Sequence, residues 1–219
     1  MAKRGRPASF DRAKALQSAM ELFWARGYEG TTLEDLLAAM GGITPPSFYH
    51  AFGSKEALFR EAVDLYVATI GGPPIRALNG TPTTREAIEA MLRLTAEGFS
   101  QPRKPHGCMM VLGATNCTPS GKAAQDYLRA FRLKAPEIIK QRLKRGVAEG
   151  DLPPGADVDG IASFYVTVLQ GLGFRAGDGA TRAALMAAVN GAMAAWAELT
   201  SPRQRGGEQS HKRRGRGRD

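Results

Sequence analysis

The chain has 219 residues, 43% of them hydrophobic, enough for one large or two small cored domains and too many for wholesale disorder. Its formal charge is +9, yet segment 201–219 holds seven Lys/Arg against Glu208 and Asp219, so the remainder carries only about +4 and its basic balance is weak as a sign of a polyanionic partner. No apolar run reaches the ~18 residues that cross a bilayer, the basic N-terminus leads into a charged segment, and two cysteines make no disulfide framework; a soluble, reducing, cytoplasmic setting without a membrane is expected.

Residues 1–9 form a short basic arm carrying Arg4 and Arg6. Residues 10–70 are dense in helix signals and parse into four helices. Leu16, Met20 and Phe23 recur at helical spacing, and Gly27 follows as a stop. Thr32 is a cap for the second helix, with Asp35 in a capping-box position three residues on. Leu33, Leu36, Leu37 and Met40 give that helix one buried stripe, and Gly41-Gly42 breaks it. Thr44 caps a short third helix, where Pro45 occupies a position whose N–H would be unused. That helix ends near Phe52-Gly53. Ser54 caps a fourth, with Leu58, Ala62 and Tyr66 along one side, and Gly71-Gly72-Pro73-Pro74 is expected to end it.

Residues 71–200 read as a helical body. Ala87, Met91, Leu94 and Phe99 mark one helix, broken by Pro102 and Pro105. Gly121 to Gly150 reads as a long charged helix kinked at Pro136, and Leu152 to Gly155 as a connector. Ile161, Phe164, Tyr165, Val168, Leu169 and Leu172 then give a wide apolar face; Leu185, Val189, Ala192 and Trp196 give another. The tail, 201–219, is Gly, Arg and polar residues with nothing to bury, and reads as disordered. With no repeat and no trustworthy alternating strand pattern, the expected class is all-α.

Thr31 to Phe59 carries the functional signal. A helix, a tight glycine turn and a short helix opening on Ser/Thr make a helix-turn-helix over about 33–52. The second helix of such a motif enters the DNA major groove with its first turn. Thr44 and Ser47 offer small hydroxyls there, in reach of a phosphate or a base edge. Tyr49 and His50 suit phosphate oxygens, and Lys55 lies in the next helix's first turn, where free N–H groups and an ammonium favour an anion. Phe48 and Phe52 are core by type.

Over about 60 residues, Phe10 to Ile70, this stretch resembles the DNA-binding domain of the TetR/AcrR family of bacterial repressors. The resemblance rests on Ala15-Leu16, Leu22-Phe23, Gly27-Tyr28, Thr31-Thr32, Phe48-Tyr49, Phe52, Ser54-Lys55-Glu56 and Leu58-Phe59. It implies that Thr32 touches a phosphate, that Thr44, Pro45, Pro46 and Ser47 face base edges, and that Tyr49, His50 and Lys55 clamp the backbone. Pro45-Pro46 departs from the family, which commonly has a polar or basic residue followed by glycine. Two prolines pack on thymine methyls or simply fix how the chain enters the helix. Arg4 and Arg6 resemble minor-groove arms, or are an ordinary basic terminus.

The resemblance further implies a homodimer on a palindromic operator, nucleoid-associated when bound to DNA, with an unidentified small hydrophobic effector held in the body. Phe164, Val168, Leu172, Leu185, Val189, Ala192 and Trp196 are the expected dimer face; the competing reading is that both stripes cover their own core. Cys108, near the start of a helix after His106-Gly107, has two readings: a small buried hydrophobe, or a sensor thiol. With Cys117 it forms too small a His/Cys group for a metal site. His50, His106 and His211 sit in no acid–base or nucleophile group and no phosphate-binding glycine loop is present, so no enzyme activity, cofactor or metal is expected.

Overall fold

The computed structural model describes residues 11–102 and 104–202; Arg4, Arg6 and the tail from residue 203 lie outside them. All the regular structure among the described residues is helical, with no strand. The first block is α1 (Arg12–Arg26), α2 (Leu33–Ala39), α3 (Pro45–Phe52) and α4 (Lys55–Tyr66). Each begins at a side-chain cap: Asp11, Thr32, Thr44 and Ser54 accept a hydrogen bond from the backbone N–H three residues on. Thr32 and Asp35 complete the capping box in both directions.

The Gly71-Gly72-Pro73-Pro74 run does not end the fourth helix, contrary to expectation. α4 passes into a π-helical turn, Val67–Gly71, and then into α5 (Gly72–Gly80). The prolines fall in the first turn of α5. There the change of hydrogen-bond register makes no use of the N–H groups that they lack.

The body continues as α6 (Thr84–Phe99), the single turn α7 (Met109–Leu112), α8 (Lys122–Ala148), α9 (Val158–Gly177), α10 (Arg182–Ala194) and α11 (Trp196–Thr200). Pro136 lies inside α8 without ending it. In α6 the buried stripe runs through Ala87, Ile88, Met91, Leu92, Thr95, Ala96 and Phe99, whereas Leu94 is exposed. A period-3.6 reading that pairs Met91 with Leu94 chooses the wrong side, because Leu92 and Thr95 complete the inward face.

Two apolar cores form. One joins α6, α9 and α10 with the second half of α8. The other belongs to α1–α4, but Met109, Ala114, Ala124 and Leu128 close it from α7, the following loop and the first half of α8. Phe23, Tyr28 and Phe59 meet there at ring-centroid separations of 5.0–6.2 Å.

The capping box yields a pH-dependent prediction. The Thr32 side chain, then its backbone N–H and Arg26, hold the Asp35 carboxyl below its usual value. The ionised form is thus favoured in the folded state. That contribution is present above the ordinary carboxylate pKa and lost as pH falls through the lowered one. Thr32→Ala should lower Tm by about 2–4 °C near neutral pH and flatten the acid limb of the stability curve. A calorimetric series between pH 3 and 7 tests both.

Candidate nucleic-acid interface

Gly41 (φ 86°) and Gly42 (φ 73°) turn the chain between α2 and α3 through left-handed conformations that a side chain would resist. α3 is then pinned by one face: Phe48 and Phe52 are buried against the first core. The other face, with Thr44, Pro45, Pro46, Ser47, Tyr49 and His50, is exposed, Tyr49 at 52%. Thr44 Oγ1 accepts from the Ser47 N–H at 3.4 Å and lies 3.0 Å from Ser47 Oγ. Pairing the two hydroxyls fixes their rotamers at the leading end of the helix and leaves acceptor capacity on both.

Thr32 is exposed, and its hydroxyl donates to Asp35 Oδ2 at 2.7 Å. Lys55 is not an ordinary solvated charge. Its Nζ sits 4.3 Å from the centroid of the Tyr28 ring, and partial burial pushes its pKa down. Other head cations are paired: Arg26 with Asp35 at 2.9 Å, Arg60 with Glu56 at 2.8 Å, Arg12 with Glu61 at 2.7 Å. Arg12 escaped sequence reading because its partners lie 39 and 49 residues away, beyond any helical periodicity.

Hydrogen bonds tie this head to the body. Trp24 Nε1 donates to the Gly107 carbonyl (2.9 Å) and the Tyr28 N–H to the Gly113 carbonyl (2.7 Å). The Glu29 carboxylate accepts from the Thr118 N–H and hydroxyl (3.0 and 2.9 Å), and Tyr127 donates to Asp64 (2.6 Å). Segment 107–112 in turn lies directly on α9. A Cβ on Gly173 would stand 2.6 Å from that of Cys108, and one on Gly177 2.6 Å from Leu112 Cδ1. Cys108 is half-buried, and burial pushes its thiol pKa up against the pull of the Val111 and Met110 N–H groups. Tyr66 beside it is buried, and burial pushes its hydroxyl pKa well up.

α9 and α10 leave an open groove of about 370 Å³. Phe164 and Val168, both half-buried, line it with buried Leu172, Leu185 and Ala192 and exposed Gly171, Ala184, Ala188 and Gly191. Val189 (0% exposed) and Trp196 (9%) do not line it. Within the single chain Val189 packs into the body's core, and the Trp196 ring lies 5.9 Å from that of Tyr165. The apolar stripe on these helices is wide enough to serve both the core and the groove, which is why spacing alone could not divide it.

The family described as "Bacterial regulatory proteins, tetR family" matches residues 15–62. The HTH-type transcriptional repressor ComR of Escherichia coli (strain K12) is 32% identical over 197 residues, 90% of this chain and 93% of that protein. A cysteine-substituted form of the TetR family transcriptional regulator CifR, solved with 26-base-pair double-stranded operator DNA, is 45% identical. It superposes with a TM-score of 0.83 over 87% of this chain and 100% of that one. A TetR regulator from Rhodococcus sp. RHA1 is 37% identical, with a TM-score of 0.57 over 87% of this chain and 98% of that one. With its capped helix-turn-helix and these relatives, the chain belongs to the TetR family of DNA-binding transcriptional regulators.

Proposed function

We propose that the protein is a homodimeric repressor that reads a palindromic operator with α3 and is released from it by a small apolar effector. The observation that carries this reading is the two-faced α3: two buried phenylalanines hold it, and Thr44 to Ser47 with Tyr49 and His50 face outward as one exposed surface. ComR is a repressor by name and CifR was solved on operator DNA, which agrees with this assignment. Two heads are needed because one makes too few contacts, and two-fold symmetry sets the half-site spacing. The α9–α10 groove, with its small exposed side chains, is the surface assigned to the second copy.

Release follows from the way 107–118 is held. This segment rests on α9 and also bonds the head through Gly107, Gly113 and Thr118. An apolar effector that parts it from α9 would move those anchors and with them the angle between the two heads. The thiol variant of this reading, through Cys108, is the weaker one: a half-buried thiol with a raised pKa holds little of the reactive thiolate.

The test is a binding-site selection followed by titration of variants. Lys55→Ala and Tyr49→Phe should weaken binding about equally on strong and weak sites, because phosphates carry no sequence. Pro45→Ala and Ser47→Ala should change the preferred sequence. An unaltered selected motif in both Pro45 and Ser47 variants refutes the assignment of α3 as reader.

A further inference from the structure

Arg12 opens α1, yet its guanidinium works on other helices. Nε and Nη2 donate to the Ala51 carbonyl in the last turn of α3 (3.3 and 3.2 Å). Nη2 also donates to both Glu61 oxygens on α4 (2.8 and 2.7 Å), and the guanidinium lies 4.6 Å from the centroid of Phe52. The Ala51 carbonyl is one of those that a helix C-terminus leaves without an intrahelical partner. One side chain therefore joins α1, the end of α3 and α4, and does so with the planar fork that only arginine offers.

We propose that Arg12, oriented by Glu61, is a positioning residue that sets the tilt of α3 for sequence reading without itself touching DNA. This rests on α3 being the reading helix. At eight residues α3 is too short to be stable alone, so its direction depends on what grips it. Phe48 and Phe52 supply an apolar hinge; Arg12 fixes the end opposite to the reading turn. Across roughly 12 Å of helix, a tilt of about 5° at the gripped end displaces Thr44 and Ser47 by about 1 Å. Hydrogen bonds to base edges do not survive such a shift, whereas phosphate contacts elsewhere on the head do.

The rival role for a half-exposed arginine on a DNA-binding head is a direct phosphate contact, and Glu61 separates the two. If Arg12 gripped phosphate, Glu61→Gln would free it, remove a negative charge and tighten binding. If Arg12 positions α3, Glu61→Gln loosens the grip and weakens binding. Operator and scrambled duplexes are titrated by fluorescence anisotropy at several salt concentrations with full-length wild type, Arg12→Gln, Arg12→Lys, Glu61→Gln, Ser47→Ala and Pro45→Ala; circular dichroism reports the helical content of each. The expected result is a loss of about tenfold or more in operator affinity for both glutamine variants. Affinity for scrambled DNA and the salt slope should stay as in wild type, and Arg12→Lys should remain weak.

Three results overturn the proposal: tighter or unchanged operator binding by Glu61→Gln, recovery by Arg12→Lys, or a salt slope that falls by about one in Arg12→Gln. Glu61→Gln, a partly exposed isosteric change, decides the matter even if Arg12→Gln loses helical content. If Ser47→Ala and Pro45→Ala both also leave operator preference untouched, the reading role of α3 falls together with the inference. If Ser47→Ala or Pro45→Ala alters preference and the Arg12 and Glu61 variants do not, only the inference falls.

Discussion

Ala188→Arg is expected to yield a folded monomer that has lost at least about a thousandfold in operator affinity, the scale that separates specific from non-specific binding. Ala188 is exposed on α10 and lines the α9–α10 groove with Gly171, Ala184 and Gly191. Small side chains there let two helix pairs approach closely, and an arginine on each copy would bring bulk and like charge to the same two-fold seam. Without a partner, each head binds a half-site alone and the gain from linking two sites disappears. Analytical ultracentrifugation and anisotropy on the same samples test both halves of the claim. Leu133→Ala, on the exposed side of α8, serves as a surface control. A dimer of wild-type stability would remove the groove from consideration as the interface.

Trp196→Asp should act quite differently, by damaging the protomer. Trp196 packs on Tyr165, whose hydroxyl donates to the Ala192 carbonyl at 3.3 Å, and both rings belong to the body's core. Removing a buried tryptophan costs about 3–5 kcal/mol, and a carboxylate enclosed in its place adds a desolvation penalty. For a chain of this size the fall in Tm should be at least about 10 °C. Because the residue works inside one chain, the loss should be of similar size in an Ala188→Arg background. Trp196→Phe should recover part of it. A Trp196→Asp protein that melts like wild type yet sediments as a monomer would return this residue to the dimer face.

The head was legible in sequence because its signals are local. Caps at Thr32, Thr44 and Ser54 and glycines at 27, 41, 42 and 53 mark where helices start and stop, and each signal acts within four residues. The outward set on α3 follows from the same logic once Phe48 and Phe52 are assigned inward. What escaped is what depends on distant partners. Arg12 meets residues 39 and 49 positions away, and Lys55 turns onto Tyr28. The Gly-Gly-Pro-Pro run misled because a breaker in one helix register is harmless in another, and the π-turn at Val67–Gly71 supplies the change. Periodicity identifies an apolar stripe and not what covers it, so spacing alone does not separate Val189 and Trp196, which pack inside one chain, from the groove-lining Phe164 and Val168.

The closing of the head's core by Met109, Ala114, Ala124 and Leu128 sets an order for the making of the protein. As the chain leaves the ribosome, α1–α4 emerge before α7 and α8. Yet one wall of their core lies far downstream. A nascent chain halted near residue 70 would display Phe23, Trp24, Phe59 and Tyr66 with that wall missing. The DNA-reading head is therefore completed only after more than half of the 219 residues have been synthesised. A truncated message would make a fragment with the whole helix-turn-helix sequence and an unfinished core beneath it. Such a fragment is matter for proteases before it can occupy an operator.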